Sequence, residues 1–454
     1  MSKRLIRFLS LLTVLALVLA ACGGDDGGGT TDTEAPADTA APDDTSAPDD
    51  TEAPDDTTAP DDGAEDPLGT VTIAAGEPIQ IRSLNAISGD VASLGIPIRN
   101  AVEMAVADYG QVKGHDVDPG TALDDLCSNE GGQAAAQTIV SDDRVLGVIG
   151  TSCSGAAVAA SPLISDAGMS MISPANTSPA LTSDLQGNAG TDYHEGYYRT
   201  AHNDLFQGQA VAEWLYNEMG VTTAAGIHDG DPYTEGLVNA FANAFEELGG
   251  TISVITAVNV GDTDMTGALS EVAGGSPEAV YYPIFPDPGN FIAQQWGDVE
   301  GLQDVIRIGA DGLGVSQHME LPESEGTYFS GPSIQFGDNV NEITGVSAND
   351  FLATYQENYG EAPTSGFWGH GYDATVMLLS AIDAVAVEGD DGSITIGRQA
   401  LRDALDATNF AGLIGQVSCD EFGDCGPAAI QINHHTDSSI TDMTQVEVVY
   451  EYTG

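Results

Sequence analysis

The chain has 454 residues, 42% of them hydrophobic, and carries seventy acids against eleven bases, a formal charge of −59. So acidic a surface repels nucleic acid and anionic lipid, which excludes both as partners recruited by charge. The length exceeds what one hydrophobic core organises, so at least two lobes are expected.

The N-terminus has the form of an export signal. Lys3, Arg4 and Arg7 make a basic segment, and Leu9–Leu19 is an apolar run too short to span a bilayer. It closes on Leu19-Ala20-Ala21-Cys22, which resembles the lipobox of bacterial lipoproteins, where the Cys is diacylated and becomes the mature N-terminus. Residues 1–22 are therefore read as a lipoprotein signal peptide with Cys22 as the lipidation site. No later segment is long and apolar enough to cross a membrane, so the expected attachment is an anchor and not a span. Residues 23–67 repeat Ala-Pro-Asp-Asp from Ala41, Ala47, Ala53 and Ala59. This stretch offers no aromatic or large aliphatic side chain before Pro67 and is expected to be a disordered acidic Pro/Thr-rich linker. The linker holds sixteen of the acids and the signal three of the bases, which leaves fifty-four acids against eight bases beyond it.

Beyond residue 70, strand and helix patterns alternate, which predicts parallel sheets with helices on their faces. Ile79–Asn85 reads as the first strand, and Ile98, Ala101, Val102, Ala105, Val106 and Tyr109 recur at helical spacing. Val145–Ile149 is a second apolar strand, followed by a Thr-Ser-Cys-Ser turn, an Ala-rich helix, and a strand running into Ser173-Pro174-Ala175-Asn176-Thr177. The scheme then repeats. Thr223–His228 is a strand, and Leu237, Phe241, Phe245 and Leu248 mark a helix closed by Gly249-Gly250. Ile252–Val258, Ala279–Tyr282 and Val305–Ile308 are further strands. His434-His435 follow a late strand pattern, Ala428–Asn433, and are expected at a surface strand end rather than around a metal.

The stretch from Gly147 to Thr182 resembles the periplasmic binding proteins for branched-chain amino acids, the receptors of ABC importers. The resemblance covers nearly all of the chain after residue 70 and is specific in the segments quoted. It implies two Rossmann-like lobes, each a mainly parallel sheet flanked by helices, joined by a three-crossing hinge: the type I periplasmic binding fold. The implied crossings are near Tyr198–Asn203, Ser330–Gln335 and Gly412–Gln416. Lobe 1 is thus expected at 70–199 and 334–412, lobe 2 at 204–330 and 416–454, with strand C-terminal ends facing the cleft.

The same resemblance implies a ligand set. Ser154, at a helix N-terminus where free N–H groups favour an anion, would take an amino-acid carboxylate. Thr177 and the Ala175 carbonyl would take the ammonium. Tyr233, in Asp231-Pro232-Tyr233, matches a ligand-covering tyrosine, and Asp311, in Gly309-Ala310-Asp311-Gly312, the acid that a buried ammonium requires. Each also has a plainer reading: helix cap, turn residue, packed aromatic, surface acid. The chain departs from the pattern at Phe285 and Leu94, where relatives often carry tyrosine or another aromatic, and in having Asp for a longer Glu. Phe and Leu without polar tips favour an apolar ligand side chain.

Four cysteines remain beside Cys22, enough for two disulfides in any of three connectivities. The resemblance selects Cys127–Cys153, leaving Cys419–Cys425. Zinc is the alternative, weakened by the lack of a CxxC pair. A serine hydrolase at Gly150-Thr151-Ser152-Cys153-Ser154-Gly155 fails because neither serine sits in Gly-x-Ser-x-Gly. No catalytic residue, cofactor or metal is expected. The implied function is an extracytoplasmic solute-binding lipoprotein that delivers an apolar amino acid to an ABC permease and ATPase complex as a monomer. Short amides or urea as ligands, or ligand sensing in place of transport, stand as alternatives.

Overall fold

The computed structural model describes residues 66–454. The signal segment, Cys22 and the linker up to residue 65 lie outside the described residues. Asp66 and Pro67, assigned above to the linker, belong to the folded part. The Asp66 carboxylate accepts from the backbone N–H of Gln399 at 2.9 Å and of Ala400 at 3.2 Å, at the start of the helix Arg398–Asp406. A helix N-terminus has free donors, and an acid there satisfies them, which ties Asp66 to the folded part.

Two main sheets form around separate cores. The first is parallel, with strands in the order Val117–Asp118, Ile79–Asn85, Val145–Gly150, Ser170–Ser173, Tyr197–Arg199. Ile79–Asn85 and Val145–Gly150 are buried along nearly their whole length, as strands covered on both faces must be. The helices Ala92–Tyr109 and Trp368–Val385 pack against each other on this sheet. The second sheet runs Glu447–Tyr452, Ile430–His435, Thr327–Pro332, Ile306–Ala310, Ala279–Tyr281, Thr223–His228, Thr251–Ala257. Its last five strands are mutually parallel and the first two antiparallel. Among the described residues no helix is long and apolar enough to cross a membrane.

The chain passes from the first sheet to the second between Arg199 and the helix Asp204–Glu213, and returns after Pro332, since Ile334 and Phe336 join the first core. The last passage differs from the expected 412–416. Phe410, Leu413, Ile414, Val417 and Cys425 all pack in the first core, and pairing with the second sheet begins only at Ile430. Backbone hydrogen bonds explain the delay: Arg199 N–H donates to the Gly423 carbonyl and Cys425 N–H to that of Arg199, both at 2.9 Å, holding this segment on the edge of the first sheet. The cysteines are joined as Cys127–Cys153 and Cys419–Cys425.

The histidine expectation needs correcting. His434 and His435 do end the strand Ile430–His435, but only His434 keeps exposure, its ring stacked on Tyr328 at 4.1 Å. His435 is buried, with Nε2 3.1 Å from the Met319 carbonyl, because strand alternation turns it inward.

Candidate ligand site between the two sheets

Two consecutive strand ends of the first sheet build one side of the site. Val145–Gly150 leads into the helix Ser154–Asp166 through a turn that brings Gly150 to φ +143°, with the Leu84 carbonyl where a Cβ would stand. Only glycine fits there. The turn is fastened from below. The Asp125 carboxylate accepts from the N–H of Ser152 at 2.7 Å and of Cys127 at 2.8 Å, and the Ser152 hydroxyl donates to Asn85 at 3.1 Å. Burial pushes Asp125 up to about 7. Ser154 is thereby presented, buried, at the first turn of a helix with no acid in that turn.

Ser170–Ser173 leads into the second loop. The Ser173 hydroxyl accepts from the N–H of Asn176 at 2.9 Å and donates to the Thr151 carbonyl at 2.9 Å, and Thr151 donates to Asn176 Oδ1 at 3.0 Å. The two loops are thus one hydrogen-bonded unit. Thr177 is fully buried beside Asp204, whose N–H donates to the Thr177 carbonyl at 2.9 Å.

The opposite side comes from the second sheet. Asp231 caps the helix Pro232–Glu247 by accepting from Tyr233 N–H at 2.8 Å, which fixes the tyrosine at the helix start. The Tyr233 hydroxyl donates to Asp311 Oδ1 at 3.3 Å and accepts from Gly312 N–H at 3.3 Å. A Cβ on Gly312 would lie 3.0 Å from the Tyr233 ring and 3.2 Å from the Phe285 ring, so the glycine lets both aromatics close over the site. Their centroids are 5.4 Å apart. Phe285 reaches across to the first sheet's side, packing on a cluster of Leu94, Ile98, Ala175, Ala201 and Phe367.

Leu94, Ser154, Ala175, Tyr233, Phe285 and Asp311 line a single small cavity of about 10 Å³, although they span more than two hundred positions of sequence. Thr177 is not in that lining; it stands behind Ala175, next to Asp204. Cys153 joins the wall through its bond to Cys127, so one disulfide borders the site. Three participants carry no signal that the sequence analysis used. Phe367 closes the apolar wall. Gln207 donates from Nε2 to Asp311 Oδ1 at 2.7 Å and to the Ser330 hydroxyl at 2.9 Å. Asp204 is buried, and neither of its carboxylate oxygens meets a protein donor in hydrogen-bonding geometry. All three sit on helix ends or loops whose position depends on the tertiary fold.

The electrostatics are one-sided. None of the described residues lining the cavity is a base. Burial raises Asp311 to about 6, against lowering by its hydrogen bonds from Gln207 and Tyr233. Burial, and then the neighbouring Asp311, raise Asp204 well above the usual carboxylate range. At one end the cavity presents the Ser154 hydroxyl at a helix start where Gly155 N–H already donates to the Asp231 carboxylate; at the other stands Asp311, a carboxylate that a cation would stabilise. Among the described residues, no group of three or more His, Cys, Asp or Glu could hold a metal ion.

Comparison with known proteins agrees with this architecture. The chain is similar to Leu/Ile/Val-binding protein homolog 3 of Brucella melitensis, 26% identical over 82% of this chain and 95% of the relative. It is also 26% identical to the leucine-, isoleucine-, valine-, threonine- and alanine-binding protein of Pseudomonas aeruginosa, over 77% of this chain and 88% of that one. The crystal structure of a leucine binding protein from Thermotoga maritima superposes with a TM-score of 0.70 at 24% identity, covering 83% of this chain and 99% of the other. The fold is the type I periplasmic binding fold: two Rossmann-like lobes with a hinge that the chain crosses three times. A family model described as periplasmic binding protein matches residues 78–446, and the chain belongs to that family.

Proposed function

We propose that this chain is the extracytoplasmic receptor of an ABC importer, which binds a free apolar amino acid between its lobes and delivers it to the permease. One observation carries the reading: Ser154 and Asp311, contributed by different sheets, face one cavity whose apolar wall includes Leu94, Phe285, Phe367 and the Tyr233 ring. A zwitterion with an aliphatic side chain matches that distribution of donors, acid and apolar surface. Ser154 and its helix take the carboxylate. Asp311 and Ala175 take the ammonium, with Thr177 behind them. Leu94 and Phe285 take the side chain. The role is binding without chemistry, and closure of the lobes on the ligand is a hinge motion.

In this reading lobe 1 is residues 70–199 and 334–425 and lobe 2 is 204–330 and 430–454, following the packing of the two cores. Lipidation at Cys22 and the acidic linker tether the receptor to the outer face of the membrane. The relatives are named for leucine, isoleucine and valine, and one also for threonine and alanine, which supports a free amino acid as the ligand. A thermal-shift panel of the twenty amino acids with short amides and urea tests it. Stabilisation by aliphatic amino acids is expected; a response to amides or urea alone contradicts it.

A further inference from the structure

We propose that Arg199 and Asp424 are a positioning pair for the ammonium end of the site, and that the Cys419–Cys425 disulfide keeps Asp424 in place. The inference rests on the amino-acid reading above for its consequence, though not for its geometry. Neither residue lines the cavity.

Arg199 is fully buried. A guanidinium there needs a counter-charge, and Asp424 Oδ1 supplies it by accepting from Nε. The other guanidinium nitrogens do something more specific. Nη1 donates to the carbonyl of Asn176 at 3.2 Å and to that of Ser178 at 2.8 Å. These are the residues on either side of Thr177, so the loop is pinned at both flanks by one rigid group. Nη2 donates to the Thr182 hydroxyl at 2.6 Å, farther along the same loop.

The second oxygen of Asp424 reaches the other half of the ammonium end. Oδ2 accepts from the Thr182 hydroxyl at 3.0 Å and from Asn203 Nδ2 at 3.1 Å. Asn203 caps the helix Asp204–Glu213 by accepting from Leu205 N–H at 3.0 Å. That helix carries Gln207, which orients Asp311. One carboxylate is therefore tied to the Thr177 loop through Arg199 and to Asp311 through Asn203 and Gln207.

Asp424 belongs to a seven-residue loop closed by the disulfide. Asp420 Oδ1 accepts from the N–H of Phe422 and of Asp424, both at 2.9 Å, and the backbone of residues 423–425 is bonded to Arg199 on each side. A loop this short has little freedom once its ends are joined. Opening it releases Asp424 from a fixed position without removing any charge.

The test uses the mature chain, with leucine as the probe, at a temperature where every variant is folded by circular dichroism. Asp424→Asn is expected to weaken leucine binding by about tenfold or more and to speed amide hydrogen exchange in residues 176–178, while Asp424→Glu restores part of both. A merely structural role would lower the melting temperature and leave affinity and this exchange unchanged. Unaltered exchange in residues 176–178 overturns the inference whether or not leucine binds. Wild-type protein that does not bind leucine refutes the amino-acid reading instead. Should Asp424→Asn fail to fold, the double variant Cys419→Ser/Cys425→Ser retains the ion pair and carries the same test. It is expected to show faster exchange at 176–178 and weaker binding, and wild-type values for both overturn the inference.

Discussion

Gln207 and Asp311 are joined by a 2.7 Å hydrogen bond across 104 positions of sequence, from a helix at the first passage between sheets to the end of the strand Ile306–Ala310. The bond orients the Asp311 carboxylate, which lines the cavity. Removing the acid's charge while keeping its shape should therefore be costly to an ammonium ligand. Asp311→Asn is expected to lose about 2–5 kcal/mol of binding, roughly thirty-fold to several thousand-fold. Tyr233→Phe keeps the covering ring and loses a hydroxyl bonded to Asp311 and Gly312, for about 0.5–1.5 kcal/mol. Titration calorimetry on both variants reads the difference directly. Asp311→Asn within threefold of wild type would make Asp311 a bystander.

Affinity should also depend on pH through the same group. Asp311 is held at about 6 in the empty site by burial, and an ammonium is stabilised only by the ionised form. Binding is thus expected to be constant above about pH 7 and to fall roughly tenfold per unit below about pH 6. Calorimetric titrations from pH 5 to pH 8 check this, and affinity that is flat over that range would mean that no raised carboxylate faces the ligand.

The fold was largely legible in the sequence because its strands carry recurring apolar residues, at Ile79, Ile81 and Leu84 and throughout Val145–Ile149. Ile79–Asn85 and Thr223–His228 begin and end where the pattern places them. The final passage was not legible: Gly412–Gln416 has the composition of a link, and only the pairing of residues 423–425 with Arg199 shows that the chain stays on the first sheet. The site divides the same way. Ser154, Ala175, Tyr233 and Asp311 stand at strand ends inside recognisable segments. Phe367, Gln207 and Asp204 enter from elements whose sequence says nothing about which cavity they approach. Thr177, expected at the ligand, is buried and outside the cavity lining.

Salt should stabilise the folded part. Its eight bases form five ion pairs that engage only four acids, Asp142, Glu103, Asp383 and Asp424. Arg307, Arg398 and Arg402 instead donate to backbone carbonyls. Most of the fifty-five acids from Asp66 onward are therefore uncompensated, and their repulsion favours expansion. At about 1 M NaCl the Debye length shortens to about 3 Å, so the melting temperature is expected to rise clearly from low salt. A melting temperature that does not change would show that repulsion among these acids is not a significant cost.

The measurement closest to the central claim is calorimetry of the purified wild-type chain with leucine, isoleucine and valine, each paired with its analogue lacking the amino group. The account predicts one ligand per chain, and loss of most affinity when the ammonium that Asp311 would stabilise is absent. Equal binding of the analogues, or no binding of any of the three amino acids, would contradict it.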